Sequence, residues 1–74
     1  MPKEEDKDIQ LLVKRIRQLR LEKGLTQEKV SELMEFDDGS YRRLESGRSS
    51  PTYKTIVRLC KALDISLGEF FKNL

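Results

Sequence analysis

Between positions 38 and 43 the chain carries Asp38, Gly39, Ser40, Arg42 and Arg43. On a helix, Asp38, Gly39, Ser40 and Arg43 fall on the face opposite Tyr41 and Leu44. Arg43 can donate two parallel hydrogen bonds to guanine O6 and N7. Asp38 can accept from cytosine N4, and Ser40 can serve either kind of partner. Asp38 would also repel a phosphate. Gly39 costs up to about 1 kcal/mol of helix propensity, but it lets another molecule approach the backbone closely. The plain alternative for all four is a solvated polar face.

A second set of residues could hold anions. Gln27 heads a helix, where free N–H groups and the helix dipole favour negative charge. Arg42 lies one residue round from the reading face; it can reach a phosphate or pair with Glu35 or Asp38. Ser46, Arg48 and Lys54 are further candidates for backbone phosphates. Catalytic and metal chemistry fare worse. There is no His and one Cys, which excludes a structural zinc site. No phosphate-binding Gly loop or Cys–base pair is present, so an enzyme is the weakest class. No metal, cofactor or small-molecule ligand is expected. Cys60 sits among Ile56, Leu59 and Leu63 and reads as a small buried hydrophobe.

The elements that must position these residues are helices. Leu12, Ile16 and Leu19 recur at spacings of four and three, from about Ile9 until Gly24 ends the run as a left-handed cap. Thr26 is a natural N-cap for a helix of about eight residues carrying Val30, Leu33 and Met34. A turn at Glu35-Phe36 follows. Asp37 is expected to cap a third helix, which runs through Ser46 and is stopped by Gly47. Thr52 caps a fourth, with Ile56, Leu59, Cys60 and Leu63 inward. Ser66-Leu67-Gly68-Glu69 has the form of a capping box and opens a short last helix. No segment reads as a strand, so the fold class is all-α. Two helices of about two turns each, joined by three or four residues, cannot lie antiparallel. They must cross steeply, which makes residues 26–46 a helix-turn-helix arrangement.

Composition sets the frame. The chain has 74 residues with 15 basic and 13 acidic side chains, net +2. Residues 1–8 are expected to be a flexible charged arm, and 9–74 a single domain. The arm is acidic, so residues 9–74 hold 13 basic against 9 acidic side chains. That mild excess permits a polyanionic partner without demonstrating one. No apolar run approaches the roughly 18 residues of a membrane span, and the charged N-terminus lacks the apolar core of a secretion signal. A cytoplasmic, nucleoid-associated protein is expected.

Four pieces of sequence resemble one family. They are R-I-R-x-L-R-x-x-K-G-L-T-Q-E at Arg15–Glu28, L-E-S-G at Leu44–Gly47, S-P-T at Ser50–Thr52 and K-A-L-D-I-S-L-x-E-F-F at Lys61–Phe71. In this order and spacing they resemble the Cro/phage-repressor-like (XRE-type) helix-turn-helix regulators, over about residues 9–71. The resemblance implies a compact five-helix, lambda-repressor-like domain that binds operator DNA, usually as a dimer. It also implies an ion pair between Arg20 and Glu45 that joins the first helix to the third, and it supports a phosphate contact at Gln27. Two positions depart from the pattern. Glu35 stands where the family turn usually has Gly, a position that commonly needs positive φ. Asp38-Gly39 stands where the reading helix often begins with Gln, Arg or Thr.

The last residues carry a heavy apolar load. Leu67, Phe70, Phe71 and Leu74 exceed what a short final helix normally hides, so they are expected to form a dimer interface. The leading expectation is a homodimeric, sequence-specific regulator of transcription on double-stranded DNA. The runner-up is a protein–protein module of the same fold that pairs with a larger regulator without specific DNA binding. Asp37-Asp38 at the reading end and the low net charge motivate it.

Overall fold

The computed structural model describes residues 7–72 and 74. Among them five helices follow in order: α1 (Lys7–Glu22), α2 (Gln27–Met34), α3 (Asp38–Glu45), α4 (Tyr53–Leu63) and α5 (Leu67–Phe71). Lys7 and Asp8, expected in the arm, belong to α1; the rest of the expected arm, residues 1–6, lies outside the described residues. α2 packs on both α3 and α4, α1 on α3, and α5 on α4.

Local chemistry sets the helix boundaries. The hydroxyls of Thr26, Thr52 and Ser66 accept from the backbone N–H groups of Lys29, Thr55 and Glu69 at 3.0, 3.1 and 3.0 Å. Each supplies a partner to one orphan N–H at a helix start. The last of these is the forward half of the expected capping box. Glu69 turns its own carboxylate toward Arg15, 3.8 Å away. Asp37 has the extended backbone of an N-cap but makes no side-chain capping bond, contrary to expectation. Its carboxyl is instead held below the ordinary range, first by the Ser40 hydroxyl and also by the Arg43 charge.

The C-terminal ends of α1 to α4 close in one way. Gly24, Glu35, Gly47 and Asp64 adopt positive φ. Their N–H groups return to Leu21, Glu32, Leu44 and Lys61, and the next N–H groups return to Arg20, Ser31, Arg43 and Cys60. This is the Schellman pattern. Glycine suits it at 24 and 47. Glu35 and Asp64 adopt φ of 60° and 59° with a side chain attached, which costs roughly 1–2 kcal/mol at a residue such as Glu.

The core joins Ile16 and Leu19 of α1, Val30 and Met34 of α2, Tyr41 and Leu44 of α3, and Phe70 of α5 to the whole inner face of α4. Two inward assignments shift. Val13, unmarked by the periodicity, is buried, while Leu33 is half-exposed. α2 is clamped between α3 and α4, and the side it turns inward carries Val30, Ser31 and Met34.

A candidate nucleic-acid interface built on one buried glutamate

The turn between α2 and α3 is short and firmly held. Glu35 closes α2 in the left-handed conformation, and Phe36 tucks partly into the core with the Arg58 guanidinium 5.4 Å from its ring centre. Glu35 faces the same guanidinium at 4.0 Å. The two helices therefore meet through a turn of three residues, Glu35 to Asp37.

Below this turn, α3 is fastened to α1 and α2 through Glu45, which is only 2% exposed. Arg20 donates to both carboxylate oxygens, from Nε to Oε2 at 2.5 Å and from Nη2 to Oε1 at 3.2 Å. The Tyr41 hydroxyl donates to Oε2 at 2.6 Å and Gln27 Nε2 to Oε1 at 3.0 Å. Arg20 also donates from Nη1 to the Leu25 carbonyl at 2.8 Å. Burial alone would push the Glu45 carboxyl up. The hydrogen bonds from Arg20, Tyr41 and Gln27 outweigh it and hold the carboxyl below its usual value. The Tyr41 phenol moves up, because it is buried and because it donates to a carboxylate. The implied Arg20–Glu45 pair is thus present, bidentate, and part of a larger network.

This network changes the reading of Gln27. Its side-chain amide points at Glu45, so one of its two N–H bonds is already committed. A phosphate there would meet the remaining N–H and the backbone N–H groups at the start of α2. Ser46 is altered more. Its hydroxyl donates to the Arg43 carbonyl at 2.9 Å, and a hydroxyl has one proton to give. A phosphate contact from Ser46 would require that bond to open.

Beside Glu45 lies an open cleft lined by Arg17, Arg20, Gln27, Arg42, Glu45 and Ser46. Three guanidinium groups against one carboxylate leave it positive. Arg17 was not among the sequence candidates. It is half-exposed, donates to the Glu45 carbonyl at 3.2 Å and approaches Glu45 Oε1 at 4.0 Å. Its three-residue spacing from Arg20 puts both on one face of α1 and was the available signal. Arg42 is exposed and makes no ion pair among the described residues; Glu35, one of its suggested partners, faces Arg58. Arg48 is exposed just past Gly47.

The polar face of α3 lies opposite its buried residues. Asp38 and Arg43 are exposed, Gly39 and Ser40 half-buried, and Tyr41 and Leu44 fully inward. Arg43 Nη2 lies 3.4 Å from the Ser40 hydroxyl, a long hydrogen bond that steadies the guanidinium without removing it from solvent. A Cβ added at Gly39 would meet only the Asp37 carboxylate at 3.5 Å and Arg43 Nη1 at 3.8 Å. Packing within the chain therefore does not demand glycine there.

The expected dimer residues divide. Phe70 is 0% exposed and belongs to the core, so it is withdrawn from any interface. Leu67 is partly buried against that core. Phe71 and Leu74 remain 43% and 47% exposed, and Leu11 of α1 lies with Leu74 along one shallow groove. Phe70 is inward because α5 seats that side against α4, and a five-residue helix does not shield both aromatic rings. Phe71 packs against it edge-on at 5.0 Å. Cys60 is buried and its thiol is pushed up by burial, as suits a small hydrophobe.

Two short helices, a three-residue turn and a second helix showing its polar face define a helix-turn-helix domain. A sequence model of the Helix-turn-helix family matches residues 16–70, and the chain belongs to that family, in its Cro/phage-repressor-like (XRE-type) branch. The HTH-type transcriptional regulator PuuR of Escherichia coli is 33% identical over 60 residues, which cover 81% of this chain and 32% of that protein. The chain thus spans about a third of that relative's length. The uncharacterised HTH-type transcriptional regulator y4dJ of Sinorhizobium fredii is 46% identical over 48 residues, covering 65% of this chain and 62% of that protein. Solved structures are similar along more of their length. A point mutant of the restriction-modification controller protein C.Esp1396I superposes with a TM-score of 0.89 at 28% identity, covering 93% of this chain and 87% of that one. The controller protein C.AhdI from Aeromonas hydrophila gives 0.82 at 33% identity, covering 89% and 100%.

Proposed function

We propose that this chain is a sequence-specific, DNA-binding regulator of transcription that works as a homodimer in the cytoplasm. α3 enters the major groove. Asp38, Ser40 and Arg43 face the base edges, with Gly39 allowing close approach. Arg17, Arg42, Arg48 and the N-terminal end of α2 at Gln27 face the phosphates. The observation that carries this reading is the build of α3. Its polar face is free and its inner face is locked by a buried carboxylate, so its direction is set before any partner arrives. Two such helices, related by a two-fold axis, would meet adjacent major grooves about 34–36 Å apart. Phe71, Leu74 and Leu11 supply the exposed apolar surface for the pairing. Likeness to two restriction-modification controller proteins over most of both chains favours a controller role over the phage-repressor and antitoxin-type ones.

The test is selection of bound sequences from random duplex DNA at about 150 mM salt, where non-specific binding is weak, with Arg43→Ala run in parallel. The expected result is an enriched inverted repeat that loses one base preference per half-site in the variant. An inverted repeat unchanged by the variant removes Arg43 from the reading set. No enrichment from folded protein rejects the regulator and leaves the interaction-module reading, with Phe71 and Leu74 as its contact end.

A further inference from the structure

α5 is five residues long, too short to hold its shape on its own. Its inner side is anchored by Phe70. Its C-terminal end is held by a residue 54 to 55 positions away. Arg15 of α1 donates from Nε to the Phe70 carbonyl at 2.8 Å and from Nη2 to the Glu69 carbonyl at 2.6 Å. The Glu69 carboxylate lies 3.8 Å from the same guanidinium. These are carbonyls of the last turn, which carries the negative end of the helix dipole; the Glu69 carbonyl also accepts from the Lys72 N–H at 3.3 Å. The Arg15 side chain is 12% exposed, so its charge is largely out of water and its direction is constrained. Arg15 also lines, with Lys14, Gln18 and Lys72, the shallow groove that holds Leu11 and Leu74. One residue thus joins α1 to the helix that carries Phe71.

We propose that Arg15 is the positioning residue for dimerisation: it holds the last turn of α5 so that Phe71 and Leu74 form one surface with Leu11. The proposal rests on the homodimer reading. Arg15 turns to α5 and is not among the residues lining the cleft beside Glu45, so it acts on DNA only through the dimer. Two donors from one planar group hold two successive carbonyls, a geometry that a lysine ammonium does not reproduce.

The experiment compares wild type, Arg15→Gln and Arg15→Lys by sedimentation equilibrium. DNA binding is measured on a duplex with one half-site and on a duplex with both, at about 50 mM salt to keep half-site binding measurable. Arg15→Gln is expected to raise the dimer dissociation constant by about tenfold or more, the size of one lost charge-assisted hydrogen bond. Arg15→Lys is expected to fall between it and wild type. Half-site affinity should stay within about twofold, since about 0.4 kcal/mol corresponds to that change. Full-site binding should return to wild type once protein exceeds the new dimer constant, a recovery that general misfolding would not give. An unchanged dimer constant in folded Arg15→Gln overturns the proposal. So does a half-site affinity that falls with dimerisation. If Arg15→Gln does not fold, Arg15→Lys is judged by the same criteria. A wild type that stays monomeric refutes the homodimer reading itself, and the proposal with it, before any variant is needed.

Discussion

Replacing Gly39 by alanine separates what the fold needs from what the partner needs. Gly39 is the second residue of α3 and has an ordinary helical φ. The space for a methyl group is present: its nearest neighbours would be the Asp37 carboxylate at 3.5 Å and Arg43 Nη1 at 3.8 Å, both ends of exposed side chains. The variant should therefore gain about 0.5–1 kcal/mol from reduced backbone entropy in the unfolded chain. For a domain of this size that raises Tm by about 2–8 °C. At the DNA surface the same methyl group has a different effect. If the backbone at residue 39 lies in van der Waals contact with base edges, a methyl group must push them away, at a cost of about 1–3 kcal/mol. Operator affinity should then fall by roughly 5- to 150-fold. Thermal unfolding followed by circular dichroism gives the first quantity, and fluorescence anisotropy on the selected operator gives the second. A variant that is more stable and binds more weakly is the expected result. Unchanged or tighter binding would refute the close approach at Gly39. A lowered Tm would refute the claim that the fold leaves this position free.

Four further substitutions follow from the geometry. Glu45→Gln keeps the shape of the hub but leaves Arg20 largely buried without its counter-charge, and should cost about 3 kcal/mol, read from the urea midpoint. The sign of the pH dependence is set by the depressed carboxyl. The stabilisation from Glu45 is complete above its ordinary value of 4.5 and is lost as pH falls through the lower folded-state value. Wild type should therefore lose stability in that acid range, and a Glu45→Gln profile of equal steepness there would count against the hub. Glu35→Gly removes a left-handed side chain worth roughly 1–2 kcal/mol of strain and adds about 0.5–1 kcal/mol of glycine entropy. The net gain should reach about 1 kcal/mol by thermal melting, and a fall in Tm would show that Arg58 and Phe36 need the Glu35 side chain. Arg42→Ala should lower affinity for all duplexes alike and reduce the salt slope by about one. Arg43→Ala should relax the preference at one base pair, and matching salt slopes with no loss of preference would exchange the two roles.

The chain's local grammar was readable from its residues. Thr26, Thr52 and Ser66 start helices because a short hydroxyl side chain reaches an N–H three residues on, and Gly24 and Gly47 stop them because a left-handed residue without Cβ is unstrained. Positive φ at Glu35 was expected on resemblance, and the Schellman bonds of Glu35 and Phe36 account for it. The α3 faces were also legible, since Tyr41 and Leu44 repeat at helical spacing and leave the other side polar. Other features depend on residues far apart in sequence. Periodicity marked Leu33 as inward and passed over Val13, because which side of an amphipathic helix is covered depends on where its neighbours pack. Phe70 and Phe71 are alike in sequence, and only the seat of α5 against α4 makes one core and leaves the other exposed. The Arg20–Glu45 pair could be anticipated by resemblance, but Gln27 and Tyr41 join it only because three helices converge on one carboxylate. Arg15 opens one of the matched motifs, but nothing in the sequence marked its hold on α5. Its partners are backbone carbonyls of α5, and a carbonyl is the same at every residue, so only the path of the chain through space decides which one an arginine meets.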